Sequence, residues 1–102
     1  MAMELSKAEK DGTYTIAVTG EIDLYSSPDL RSAITKAIPN ASTALHIDLG
    51  GVEYMDSSGV ATLVEGLRTS MERNVAFVLL APSPPVLKVL QLSRLDTVFT
   101  IR

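Results

Sequence analysis

The chain has 102 residues, 46% of them hydrophobic and 21% charged, with a formal net charge of −3 and no cysteine. That size and balance suit one folded domain over residues 1–102 and exclude a disordered or fibrous chain, while the missing cysteines exclude disulfides, thiolate metal sites and a cysteine nucleophile. Nine scattered basic residues and five aromatic ones supply neither a phosphate-binding stripe nor a base-stacking platform, so direct nucleic-acid binding is not expected.

Met3 to Ala8 and Thr13 to Thr19 are strand-prone runs on either side of Lys10-Asp11-Gly12, a tight-turn sequence, and they predict an N-terminal β-hairpin. In the second run Tyr14, Ile16 and Val18 alternate with Thr15, Ala17 and Thr19, the period of two that buries one sheet face. Ser27 before Pro28 predicts an N-cap with proline at the first helical position. Leu30, Ala33, Ile34, Ala37 and Ile38 then form one apolar helical stripe, ended by Pro39-Asn40. A third strand is expected from Ala44 to Leu49, where Leu45, Ile47 and Leu49 alternate with His46 and Asp48.

From Ser57-Ser58 onward, Val60, Leu63, Val64, Leu67 and Met71 have the spacing of a second amphipathic helix. Val75 to Ala81 is nearly continuous apolar sequence, as in an interior parallel strand. Ser83-Pro84-Pro85 repeats the serine-then-proline helix start, Val86 to Leu92 forms a short third helix, and Val98 to Ile101 closes the sheet. Met71, Leu90 and Leu92 are assigned to the core. The order ββαβαβαβ with right-handed parallel crossovers predicts an α/β fold, a mixed β-sheet with helices packed mainly on one face. The longest apolar run, Val75 to Pro82, is far short of the roughly 20 residues of a spanning helix. The N-terminus lacks the basic and apolar regions of a secretion signal. No membrane insertion is expected, and the expected location is cytoplasmic.

The segment that carries chemistry is Asp56-Ser57-Ser58-Gly59, which puts two hydroxyls and a carboxylate at a helix N-terminus. One use for a Ser or Asp there is capping, in which the side chain accepts from an unpaired first-turn N–H and stabilises the helix by roughly 0.5–2 kcal/mol. The other use is phosphoacceptance. A phosphoryl group adds about −1.5 to −2 charges, which a helix N-terminus tolerates and a partner surface fitted to a neutral hydroxyl does not.

Gly20-Glu21-Ile22-Asp23, Asp48-Leu49, Val52, Met55-Asp56-Ser57-Ser58-Gly59-Val60 and Leu92-Ser93-Arg94-Leu95 together resemble the STAS family, in particular its bacterial anti-sigma factor antagonists, over nearly the whole chain. The resemblance implies a partner-switching cycle. The unphosphorylated protein binds an anti-sigma factor that is also a serine kinase, and phosphorylation of the motif's first serine, here Ser57, releases it, so transcription is regulated indirectly. By the same resemblance Asp23, Asp56, Ser57, Ser58 and Gly59 make up the partner-binding surface. The kinase and its ATP belong to the partner. With no glycine-rich loop followed by Lys and Ser/Thr, this chain is expected to hold no cofactor of its own. The sequence also resembles the small cytoplasmic STAS subunit of Mla-type lipid-transport ABC systems, which implies the ABC transporter ATPase as the alternative partner.

The chain is not expected to be an enzyme, because a serine nucleophile needs a base and the sole histidine, His46, lies mid-strand. Asp23 and Asp56, with or without Asp48, lack the spacing of a metal-binding loop, and no metal is expected. Tyr25, Tyr54 and Met55 suit either apolar contact with a partner or partial burial beneath the loops. A monomer or weak dimer is expected.

Overall fold

Asp11 and Gly12 reverse the chain near its start: both have positive φ, 53° and 84°, as a two-residue hairpin turn requires. In the computed structural model, which describes residues 2–102, this turn folds β1 (Glu4–Lys10) antiparallel onto β2 (Thr13–Ile22), with Glu4 opposite Thr19 and Lys10 opposite Thr13. There follow α1 (Ser27–Ala37), a 3-10 turn (Ile38–Asn40), β3 (Ala44–Met55), α2 (Ser57–Glu72), β4 (Ala76–Leu80), α3 (Pro84–Leu92) and β5 (Thr100–Ile101).

The five strands lie side by side in chain order, β2 to β5 mutually parallel. Right-handed crossovers that all step in one direction put successive helices on one face of a sheet, and α1, α2 and α3 share a single buried cluster with the strands. That face is the core. Ile16, Val18 and Ile22 of β2, Leu45, Ile47, Leu49, Val52 and Met55 of β3, and Phe77 and Leu79 of β4 meet Leu30 and Ile34 of α1, Leu63 of α2 and Val86 and Leu90 of α3. Burying each such side chain contributes about 1.5–3 kcal/mol, which is what makes the period-two pattern decisive. Among the described residues no helix is long and apolar enough to cross a membrane.

The element order and the mixed sheet agree with expectation, but several boundaries and core assignments differ. β3 does not stop at Leu49; it runs to Met55, because one register shift against β2, between Ala17/Asp48 and Thr19/Gly51, absorbs the break in alternation at Gly50-Gly51, and a second follows between Gly20/Val52 and Glu21/Tyr54. The cap of α1 is Ser26, not Ser27, which is already the first helical residue and is buried. The last strand contains only Thr100 and Ile101. Before it the chain turns on Leu95, which accepts from the Val98 and Phe99 amides, and tips the Phe99 ring into the core against Phe77.

Met71 and Leu92 are not core residues, being 67% and 76% exposed. Leu92 follows buried Leu90 by two positions, which turns it about 200° away on a helix. On α2 the buried line is Gly59, Thr62, Leu63, Gly66 and Ser70. Small residues there bring the helix close to the sheet, and Val60, Val64 and Leu67 pack half-buried at its flank, with Met71 beyond them. Leu90 is fully buried.

Candidate functional site

β3 pairs with β4 only as far as Asp48 opposite Leu80, whereas its pairing with β2 continues to Ile22 opposite Met55. The last third of the sheet is therefore a two-stranded ribbon, and bulges within it re-aim whatever follows. The start of α3 supports the ribbon from the side. Ser83 donates its hydroxyl to the Val52 carbonyl at 2.6 Å and its amide to Leu49 at 3.3 Å. That hydroxyl is thus spent across the chain and does not cap α3.

Beyond the ribbon, two loops are tied together where the Asp56 amide donates to the Ile22 carbonyl at 3.1 Å. In the β2–α1 loop, Asp23 Oδ1 accepts from the amides of Tyr25 and Ser26, both at 2.9 Å. Ser26 Oγ donates to the Glu21 carbonyl at 2.8 Å and accepts from the Asp23 amide at 2.9 Å. The Ser27 amide closes the turn on the Asp23 carbonyl at 2.8 Å. The Ser26 amide, and after it the Tyr25 amide and Ser26 hydroxyl, hold the Asp23 carboxyl below its ordinary value against an opposing desolvation cost.

In the β3–α2 loop the helix cap is Asp56 and neither serine. Its backbone is extended, with φ −105° and ψ −171°, and Oδ1 accepts from the Ser58 amide at 2.9 Å. Ser58 Oγ donates to the same oxygen. Ser58 is thereby committed, and its carbonyl accepts from Thr62 Oγ1 at 2.9 Å. Ser57, the first residue of α2, is exposed, and its hydroxyl has no partner among the described residues. Gly59 is buried directly beneath, where an added Cβ would lie 2.5 Å from Met55 Cγ and 2.8 Å from Ile22 Cγ2.

The structure thus brings Asp23, Asp56, Ser57, Ser58 and Gly59 to one end of the molecule. The family model described as "Mlab, STAS domain" matches residues 5–101. The chain belongs to the STAS domain family. Among its relatives, an anti-sigma-B factor antagonist of Listeria monocytogenes is 28% identical over 103 residues, spanning 100% of this chain and 90% of that protein. An anti-sigma factor antagonist from Mycobacterium paratuberculosis has the same fold at a TM-score of 0.88, with 28% identity over 98% of this chain and 85% of that one. The Bacillus anti-sigma factor antagonist SpoIIAA has been solved unphosphorylated and phosphorylated. The unphosphorylated form matches at TM-score 0.80 with 30% identity over 99% of this chain and 88% of that one. The phosphorylated form matches at 0.74 with 29% identity over 99% and 91%.

In this STAS domain Met55 is 2% exposed and packs under Gly59, so it offers nothing to a partner. Tyr54, on the opposite face of the same strand, is half-exposed and Tyr25 lies almost fully in solvent. Leu24, which sequence reasoning passed over, is also exposed. Its signal was that Leu24-Tyr25 fits neither the strand period before it nor the helix period after it. Residues 20–30 and 50–60 contain Glu21, Asp23, Asp29, Glu53 and Asp56 and no Lys or Arg, so these two stretches carry net negative charge. His46 sits in the first half of β3, at the far end of the strand from Ser57.

Proposed function

We propose that this STAS domain is a cytoplasmic anti-sigma factor antagonist that docks, while Ser57 is unphosphorylated, on an anti-sigma factor that is also a serine kinase. Phosphorylation of Ser57 releases it, so the domain regulates transcription without touching DNA and without catalysis of its own. The observation that carries this reading is the contrast within the motif: the Ser57 hydroxyl is exposed and uncommitted, whereas that of Ser58 is bonded to Asp56. The relatives named as anti-sigma factor antagonists, one of them solved in both phosphorylation states, support it.

In the transfer, Ser57 Oγ forms a bond to the γ-phosphorus of the partner's ATP as the bond to the β–γ bridging oxygen breaks. The serine proton passes to a base on the partner, and ADP, the leaving group, stays on the partner. The product carries about −1.5 to −2 charges beside the Asp56 carboxylate and opposite the phosphates of the partner's nucleotide. Repulsion and the dianion's hydration shell then separate the two surfaces. Asp23 shapes the adjoining loop, Asp56 and Ser58 fix the helix mouth, and Gly59 seats it close to Met55 and Ile22.

Incubation with the cognate anti-sigma factor kinase and ATP is expected to add one phosphoryl group to the wild type and none to Ser57→Ala, measured by intact mass. A phosphoryl group mapped to Ser58 would refute the assignment. Ser57→Asp should lose partner binding with its far-ultraviolet circular dichroism unchanged.

The name Mlab in the matching family's description favours a second reading, a STAS subunit seated on the ATPase of an Mla-type lipid-transport ABC system. Ser57 would then serve a standing contact. Stable co-purification with that ATPase, and no phosphoryl transfer to Ser57, would decide for it.

A further inference from the structure

We propose that Leu24 and Tyr25 are the anchor of the partner interface, a preformed apolar projection that enters a socket on the partner bordered by Lys or Arg side chains. This rests on the reading of the Ser57 end as the docking face. A single exposed apolar residue on a protein surface needs no explanation. Here two large ones are adjacent in sequence, 69% and 89% exposed, and Tyr54, half-exposed, stands at the same end of the ribbon, where its register partner is Glu21.

The loop that carries them is not slack. Every turn of its backbone is held, by Asp23 Oδ1 on the Tyr25 and Ser26 amides, by Ser26 Oγ on Glu21, and by the Ser27 amide on Asp23. The chain therefore holds Leu24 and Tyr25 out into water on a hydrogen-bonded mount. Preorganisation of this kind lowers the entropy lost on association, and tyrosine is among the residues that most often dominate interface energetics.

Two further facts select the occupant. The first is position. The Asp56 amide to Ile22 carbonyl bond joins the two loops, and chain length from there limits the Tyr25 to Ser57 separation to about 20 Å. Both therefore fall inside one interface footprint of about 800 Å² per partner. The second is charge. Asp23, Asp29, Glu53 and Asp56 lie in residues 20–30 and 50–60, the two stretches that flank the projection, and these hold no Lys or Arg. An apolar socket with an acidic rim would set like charge against these carboxylates, whereas a basic rim complements them. The partner's nucleotide phosphates face Ser57 and the basic rim faces the Leu24–Tyr25 loop, so the switch and the anchor act on different parts of one surface.

The test titrates wild type, Leu24→Ser, Tyr25→Ser, Tyr25→Phe, the double variant and Ser57→Asp against the purified cognate anti-sigma factor by calorimetry. Leu24→Ser and Tyr25→Ser should each raise Kd by about ten- to thirtyfold, with Tm unchanged because both side chains are in solvent. Tyr25→Phe should bind within about twofold of wild type, since the ring and not the hydroxyl fills the socket. The kinase should phosphorylate Tyr25→Ser with raised KM and unaltered kcat, as loss of uniform binding requires. Kd of the wild type should rise with added salt; a salt-independent Kd would overturn the basic rim. If the double variant binds like wild type while Ser57→Asp does not bind, the anchor is refuted and the switch stands. If Ser57→Asp binds like wild type, or wild type does not bind at all, the docking reading fails and the anchor falls with it.

Discussion

A single methyl group placed at Gly59 tests whether the mouth of α2 is held as tightly as its geometry indicates. The new Cβ would meet Met55 Cγ at 2.5 Å, Ile22 Cγ2 at 2.8 Å and Met55 Sδ at 3.0 Å, against about 3.5–4.0 Å for an unstrained carbon contact. Met55 has three rotatable side-chain bonds and can give way, but Ile22 is β-branched, stiff and fully buried. Relief must then come partly from the first turn of α2 lifting off the sheet. Overpacking of this kind costs about 1–3 kcal/mol, and the higher helix propensity of alanine offsets up to about 1 kcal/mol of it. A net loss near 1 kcal/mol lowers Tm by about 4–8 °C in a domain of this size. Calorimetric unfolding of Gly59→Ala at pH 7 reads that shift directly, and phosphorylation of Ser57 should slow because the helix mouth has moved. A variant as stable as wild type, or more so, would mean that helix propensity prevails and that the close seating of α2 on Met55 and Ile22 is wrong.

Ser70 Oγ is sealed beneath α2 with no hydrogen-bond partner among the described residues, so Ser70→Ala should stabilise the fold by about 1 kcal/mol; a fall in Tm would reveal an acceptor for that hydroxyl. Ser83→Ala removes the buried hydroxyl that donates to the Val52 carbonyl and should cost about 0.5–1.5 kcal/mol, seen as a lower urea midpoint with an unaltered m-value. The Asp23 carboxyl is held below its ordinary value of 3.8 by the loop amides, so its charged form stabilises the fold above that pH. The contribution fades as the pH falls below 3.8 and through the folded-state value. The Tm gap between wild type and Asp23→Asn should accordingly be present at pH 7 and close toward pH 3, and a gap unchanged by pH would contradict the assignment.

What was legible in the sequence is what depends on periodicity. Ile16 and Val18, Leu45, Ile47 and Leu49, and the Leu30 to Ile38 stripe each announce a buried face, and all are buried. Periodicity fails where the chain departs from ideal geometry. Gly50-Gly51 looks like the end of a strand because a bulge and a turn break alternation in the same way, and only pairing with β2 shows which of the two is present. On α2 the apolar spacing of Val60, Val64, Leu67 and Met71 marks the flank, because the line that touches the sheet had to be small for the helix to come near. The motif itself, Asp56 to Gly59, was visible as a string, but the division of roles inside it was not: either Asp or Ser can cap, and only coordinates reveal that Asp56 took the position.

That division determines what a dianion at Ser57 can do. Had a serine hydroxyl been the cap, esterifying it would have removed the acceptor for a first-turn amide and set phosphorylation against the helix, at a cost of about 1 kcal/mol. With Asp56 as the cap, the bond to the Ser58 amide survives any change at Ser57, and the helix macrodipole favours the added negative charge. The stability of the domain and its affinity for a partner are thus assigned to neighbouring side chains, and one can be switched while the other is left intact. The same separation applies across the loop tie. Asp23 spends its carboxylate on the backbone of its own turn, and Leu24 and Tyr25, freed of any structural duty, are left to face outward.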